Sequence, residues 1–492
     1  MPGSRARFVA GVLGELFADE VGRSLTPRLR SRRAVPDTET ARRARARNVR
    51  LALERLGPFY VKVGQILSTR PDLVSATVIS ELEKLHDRVS IAPFEDFEAV
   101  LSDELGADWA RRFRTIDVHS PGTASLAQVY RATLRNGAPV VVKIQRPGIR
   151  PMVLDDMALL RRASRLTARA APRFNAVIDI ESMLEVVFDA MEPELDFTAE
   201  ARNMEAVRTN VERFDHLSVP DVLLATPRVL VQSLAPGVSI RDANRDAFSV
   251  EERTAIGREL LALMYRGYFV DRVFHADPHP GNIFVAPGAR ASLIDWGMVG
   301  RIDRRTSMLL VLVLLSLARN DGLGLAKAWI EMGRATAWAD ISAFITDMTL
   351  LVPKIATASL EELNFGVTLA AVLKRSTKRG IQTAPMISIL GKSFGNIEGS
   401  VRYLAPELSL VEIFEDELRG VMFDLVTDFV SEQQAARTLL EIMIGSTTIT
   451  DQLRGVMRDL SNRELTIQTG PTDQRYSRMR TAARWLGQQR WQ

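Results

Sequence analysis

Residues 275–300 read HADPHPGNIFVAPGARASLIDWGMVG. Asp277 and, five positions on, Asn282 fall on a short loop. Apolar residues at 283–285 and 291–294, with a Pro287-Gly288 turn between them, predict a β-hairpin that delivers Asp295 just before Gly297. Two carboxylates and one amide at this spacing suit phosphoryl transfer. In that chemistry the first Asp orients or deprotonates an acceptor, while the Asn and the second Asp hold magnesium ions that bridge the nucleotide phosphates. A polar turn beside an ordinary hairpin accounts for one such residue, but not for D-x4-N and a strand-borne D-x-G in the same segment.

Further parts lie upstream in the order a phosphotransferase uses. From Gly122 the chain reads GTASLAQVYRATLRNGAPVVVKIQRPG, in which 129–134 and 140–144 are strand-like and Asn136-Gly137 marks a hairpin turn. A small-residue loop (Gly122, Thr123, Ala124, Ser125), a strand, a tight turn and a strand carrying Lys143 form the layout of a nucleotide-binding small lobe. There the lysine meets the α- and β-phosphates as a point charge and is aimed by a glutamate from a nearby helix. An acidic helix predicted over 192–203 offers Glu194 and Glu200, and the sequence does not separate them. Taken alone, a strand lysine is an ordinary edge residue; the succession of loop, Lys143, acidic helix, Asp277, Asn282 and Asp295 argues otherwise. Residues 228–235 read as a strand running into Pro236-Gly237, the expected hinge between two lobes, and a helix follows over 250–268.

Before the small lobe the pattern is helical. A helix starting near Pro36 should run to Gly57-Pro58, where Gly ends it and Pro opens the next. That next helix, 59–68, carries Lys62 and Gln65 as i,i+3 neighbours on one face, with Gly64 thinning the helix between them. By itself the pair reads as helix surface. Helical spacing recurs over 72–87 and 95–105, so the first 115 residues are expected to be helical throughout. Beyond Gly300 only helices are expected, over 307–318, 322–332, 341–351, 360–379, 384–397 and 410–442. The resulting division is a basic arm (1–50), a helical extension (51–115), a small nucleotide-binding lobe (116–236), a large catalytic and helical lobe (237–445) and a basic tail (446–492).

Bulk properties bound the reading. A chain of 492 residues exceeds one small core, and a net charge of +4 provides no global field for nucleic acid. Arginines cluster in the first 50 residues, and the stretch 475–490 is basic again with Trp485 inside it. Such ends can bind anionic lipid head groups through Coulomb attraction, but more often they form solvated helix faces. The absence of cysteine excludes disulfides, thiolate metal sites and thiol catalysis. Glu15, Asp19 and Glu20 interrupt the first apolar patch, so it does not read as a cleaved signal peptide. The longest apolar run, 308–318, is about half of what spans a bilayer. Cytoplasmic residence, peripheral to a membrane and without a transmembrane segment, is the expectation.

Six motifs together carry a family likeness: K-x-G-Q at Lys62, Gly64 and Gln65 with STRPDL soon after; GTASLAQVYRA; VVVKIQRPG around Lys143; E-x-D at Glu194 and Asp196 with E-A-x-N at Glu200 and Asn203; HADPHPGN; and IDWGMVGRID. Over roughly residues 50 to 440 the chain resembles the UbiB/AarF atypical kinase-like family, the aarF-domain-containing kinases. The resemblance implies an α+β, protein-kinase-like bilobal fold with an N-terminal helical extension over the active site and an all-helical C-terminal lobe. It implies ATP and Mg2+ as cofactors, with Asp277, Lys143 and Lys62 as catalytic groups and Asn282 and Asp295 as metal ligands. Gly122, Thr123, Ala124, Ser125, Glu194, Glu200 and Gln65 join Lys143 around the nucleotide. Members support coenzyme Q and related isoprenoid-lipid metabolism and are described as ATPases or lipid-linked kinase-like proteins.

Three departures qualify the likeness. Gly122-Thr123 stands where many members carry alanines, a change expected to loosen the phosphate loop. Trp296 replaces the usual Phe of the metal motif, and Gln232-Ser233 replaces an acidic hinge residue. The chemistry is restricted further by His279, which occupies the position two after the loop Asp where protein kinases carry Lys, and by the short interval from Met298 to Arg305 before the next apolar helix. No peptide platform fits there. The leading reading is magnesium-dependent ATP binding and slow hydrolysis, coupled to a hydrophobic isoprenoid or quinone precursor at a membrane surface. Two others stay open: a small-molecule phosphotransferase of the aminoglycoside or choline kinase type, which shares H-x-D-x-H-x-x-N and I-D-W but not K-x-G-Q, and a nucleotide-binding pseudokinase scaffold.

Overall fold

In the computed structural model the helical start follows the expected punctuation. The structure describes residues 5–12, 15, 39–70, 73–85, 91–119, 122–123, 126–170, 180–356, 365–408, 413, 416–417 and 420. Helix α1 (Glu39–Leu56) ends at Gly57, whose φ of +103° suits glycine, and α2 (Pro58–Ser68) opens on Pro58. Helix α3 (Ala76–Leu82), capped by Ser75, is shorter than the helix expected over 72–87, part of which lies outside the described residues. Helix α4 (Glu95–Leu105) matches its expected bounds. The expectation of helix through residue 115 is overturned by β1 (Phe113–Ile116), because pairing with a later strand overrides local spacing.

Strands β2 (Gly122–Thr123), β3 (Ala127–Leu134) and β4 (Pro139–Gln145) follow, with Gly137 at φ +88° in the predicted turn. Helices α5 (Ile149–Ala170), α6 (Ile180–Leu195) and α7 (Phe197–Val211) come next, then β5 (Leu217–Ser218), β6 (Val222–Ala225) and β7 (Val229–Ser233). The small-lobe sheet has the order β1-β3-β4-β7-β6, with β2 on β3, and its paired strands are antiparallel. Alternation along β4 sends Val140, Val142 and Ile144 into a core with Phe97 and Leu101 of α4 and with Tyr130. Full burial of one such side chain contributes about 1.5–3 kcal/mol. On another side Phe59, Tyr60 and Ile66 of α2 pack with Val153 of α5 and Val187 and Met191 of α6. Gly64 permits the close approach of α2 to α1 and to the end of α3, since a Cβ there would overlap Leu53 and Leu85.

The chain turns at Gly237 (φ +78°), where a Cβ would strike the Val285 carbonyl. The larger lobe contains β8 (Val238–Ser239), α8 (Val250–Phe269), β9 (Val273–His275), the hairpin β10 (Ile283–Val285) and β11 (Ala291–Leu293), and β12 (Val299–Arg301). Strands order as β5-β11-β10-β8, and β12 pairs with β9. Then come α9 (Arg304–Ala318), α10 (Gly322–Met332), β13 (Arg334–Ala335), α11 (Ile341–Ala356), α12 (Phe365–Lys378), β14 (Ile381–Gln382) and α13 (Pro385–Leu404). Two differences from the expected helices-only stretch stand out: the two-residue β13-β14 ladder, too short to leave a period, and α11, which continues through Pro353. Tyr268 of α8 meets Phe394 of α13 at 4.2 Å between ring centroids, locking these two helices. Among the described residues no helix is long and apolar enough to cross a membrane. Most of the basic arm, all of the basic tail and nearly all of the helix expected over 410–442 lie outside the described residues.

Candidate functional site

Lys143 occupies the face of β4 opposite its core residues. Its Nζ lies 2.8 Å from Glu200 Oε2 and 3.5 Å from Asp295 Oδ1. The single acidic helix expected over 192–203 is corrected to two, broken at Asp196. That residue leaves helical geometry, and its carboxylate caps α7 by accepting the Thr198 N–H at 3.0 Å. The break separates the two acids. Glu200, in the first turn of α7, goes to Lys143, whereas Glu194, at the end of α6, meets Lys62 at 3.1 Å. Lys62 is therefore no surface residue, its side chain being only 16% exposed. Gln65 donates to the Leu85 carbonyl at 3.4 Å and tethers α2.

Burial opposes the charge on Lys143, but Glu200, then Asp295 and Glu194, outweigh it and push its pKa up. Burial pushes Glu200 up to about 7, and the attraction of Lys143 reduces this effect without cancelling it. Asp295 is driven well below the usual carboxylate range by Lys143 first, against burial, with help from Lys62, His275 and His279. Its side chain nevertheless keeps 46% of its surface open, because it faces a cavity walled by protein. The Asp295 backbone sits at φ +60°, a left-handed conformation uncommon outside glycine, shared in this chain with Arg272 and Asn320 among the described residues.

The Glu200 shift carries a sign. Its folded value, about 7, exceeds the ordinary 4.5, so between these limits the native chain holds a proton that the unfolded chain has released. That stabilisation is complete below 4.5 and is lost as pH rises through about 7. Glu200→Gln mimics the neutral acid and is expected to remove the loss. Melting temperatures at about pH 5 and about pH 8 should show the parent falling relative to the variant as pH rises; an identical pH response in both would count against the assignment.

Behind Asp295, Trp296 is buried, donates its indole N–H to the Leu293 carbonyl at 3.0 Å and packs 4.6 Å from the His275 ring. Asn203 of α7 donates to the Trp296 carbonyl at 3.0 Å, tying α7 to the segment that carries Asp295. His275 Nδ1 accepts the Asp277 N–H at 3.1 Å, so its Nε2 carries the proton toward the Ile294 carbonyl. Burial pushes the His275 pKa down and keeps the ring neutral. Asn282 donates its amide to the Asp277 carbonyl at 3.1 Å, which leaves its side-chain oxygen as the group for a cation. Asp277 is held ionised, since Lys392, His279 and Lys62 overcome the effect of its burial.

A cavity of about 880 Å3 brings together Lys62, Gln65, Asp277, Asn282 and Asp295. Lys143, Glu194 and Glu200 stand behind it, reached through Asp295 and Lys62. Leu82, Leu85, Val367, Leu369 and Leu373 form an apolar wall. Gly122 and Thr123 pair with Val129 and Gln128 as β2; Ala124 and Ser125 lie outside the described residues. A helix was expected over 384–397, but the contacts that α13 (Pro385–Leu404) makes with Asp277 were not. Asn396 donates to Asp277 Oδ1 at 2.6 Å, and Lys392 Nζ lies 3.4 Å from the same oxygen. Ser393 and Ser400 donate to the carbonyls of His275 and Pro278, at 2.7 and 3.0 Å. The available signal was a polar stripe at 393, 396 and 400, on one face of the helix.

Comparison with known proteins bears on the family of the chain. The ABC1 atypical kinase-like domain matches residues 84–329. A "Probable protein kinase UbiB" from Pseudomonas putida (strain GB-1) is 33% identical over 384 residues, 76% of this chain and 69% of the relative. An "Uncharacterized protein in hydrogenase 1 5'region" from Clostridium pasteurianum is 30% identical over 371 residues, 74% of this chain and 69% of its own length. Among solved structures, the Rv3197–erythromycin complex from Mycobacterium tuberculosis is 21% identical, covering 70% of this chain and 92% of that one with a TM-score of 0.46. From its matched domain and its relatives, the chain belongs to the ABC1 atypical kinase-like family.

Proposed function

We propose that this chain binds ATP with Mg2+ and turns it over slowly in an occluded site that serves a hydrophobic isoprenoid or quinone-type substrate at a membrane surface. The observation that carries this reading is the convergence of two lysine–glutamate pairs, Lys143–Glu200 and Lys62–Glu194, with Asp295 beside the first and Asn282 on the same cavity. Lys143 is the group for the α- and β-phosphates, aimed by Glu200. Asn282 and Asp295 would hold the metal, and the donor set fits. Asp295 is ionised and open to the cavity, and Asn282 lines the same cavity. That suits magnesium, which takes one or two carboxylates together with phosphate oxygens and water and neutralises phosphate charge when bound. Asp277, ionised beside Asn396, can accept a proton from an attacking hydroxyl or water.

The hydrophobic substrate is supported by the apolar wall between α3 and α12, and the absence of a peptide platform by the direct run from Gly297 through β12 into α9. Membrane contact is assigned to the basic ends. The test is ATP turnover with magnesium, with and without anionic liposomes and quinone-like phenols, using Asp295→Asn as the blank. Stimulation of several-fold or more in the parent alone is expected; equal turnover in the blank, or no response to either addition, would remove this reading.

A further inference from the structure

Resting on the nucleotide reading above, we propose that Lys392 is the cation that grips the γ-phosphate, supplied by α13 because the catalytic loop lacks one. Two positions after Asp277 stands His279, and its Nδ1 is spent accepting the Gly281 N–H at 3.0 Å, as the cap of a short turn. Lys143 and Lys62 are engaged by Glu200 and Glu194 at 2.8 and 3.1 Å. Lys392 lines the same cavity as Asp277, Asn282 and Asp295, with 29% of its side chain open and Nζ at a long 3.4 Å from Asp277 Oδ1. A contact of that length yields readily to a phosphate oxygen, for which a lysine ammonium is a suitable point charge.

The position of this ammonium is set by the helix. Ser393 and Ser400 bond the backbone on either side of Asp277, and Asn396, one turn beyond Lys392, bonds its carboxylate. Asn396 is thus a positioning residue for Asp277, and Lys392 is carried on the same rigid face. Arg241 also lines the cavity, 3.9 Å from Asp242, but no bond ties it to the Asp277 carboxylate among the described contacts. In hydrolysis a water oxygen bonds to the γ-phosphorus as the bond to the β–γ bridging oxygen breaks. ADP leaves with that electron pair, and the water proton passes to Asp277. Lys392 stabilises the charge on the transferred phosphoryl oxygens.

The experiment compares parent, Lys392→Met and Lys392→Arg for magnesium-dependent binding of ADP and of a non-hydrolysable ATP analogue, and for ATP turnover. Lys392→Met is expected to bind ADP as the parent does, to lose about tenfold of the preference for the triphosphate, and to lose on the order of 10²-fold in kcat. Lys392→Arg should recover part of both. Retained ADP binding shows that the variant is folded and the nucleotide site intact. A parent-like triphosphate preference and kcat in Lys392→Met, or an equal loss for ADP and the analogue, overturns the role of Lys392 while leaving the nucleotide reading in place. A parent chain that binds neither nucleotide overturns both together.

Discussion

Lys143→Met is expected to lower ATP turnover by about 10²- to 10³-fold while the chain stays folded. Lys143 is the shared counter-ion of Glu200 and Asp295. Removing it has opposite consequences for the two acids. Glu200, already at about 7, takes up a proton at neutral pH and does not remain a bare buried anion. The stability loss therefore stays below the roughly 3–5 kcal/mol of a broken buried ion pair. Asp295 owes its depressed pKa chiefly to Lys143, so it moves back toward the ordinary carboxylate range and becomes a weaker cation ligand. Turnover and melting temperature, measured on the same preparation, separate the two effects. Parent-like turnover would exclude Lys143 from the chemistry.

Lys62→Ala is expected to cost more stability. Glu194 is 8% exposed, and its Oε2 has no hydrogen-bond partner among the described residues, so Lys62 is its main compensation. Truncating the lysine leaves a buried carboxylate at the end of α6 and should cost roughly 3–5 kcal/mol, with altered turnover because α2 walls the cavity. The combined Lys62→Met, Glu194→Gln change removes both charges and should recover about 1–3 kcal/mol of that loss. If the double variant melts no higher than Lys62→Ala, the pair is not coupled and α2 is held by its apolar face alone.

The two lysine–glutamate pairs also mark where the sequence was legible. The hairpin carrying Asp295, the turn at Asn136-Gly137, the Gly57-Pro58 break and the strand of Lys143 all rest on local rules, and each stands where its residues placed it. The assignment of Glu200 to Lys143 and Glu194 to Lys62 was not local. It depends on the break at Asp196, where a capping carboxylate competes with helix continuation inside a run of good helix formers. Lys62 read as surface for a related reason: its burial comes from α6, more than a hundred residues away in the chain. Lys392 and Asn396 were missed because α13 meets the Asp277 loop only through tertiary packing, and a polar stripe on a helix more commonly faces water.

Metal-dependent nucleotide binding is the property on which the rest depends, and one titration addresses it. Thermal stabilisation by ATP is measured with magnesium and with chelator, in the parent and in Asp295→Asn, which has the shape of the acid without its charge. Stabilisation is expected in the parent with magnesium, greatly reduced with chelator, and absent from the variant in either condition, because the ion would lose the carboxylate that follows β11. Equal magnesium-dependent stabilisation of parent and Asp295→Asn by ATP would contradict it.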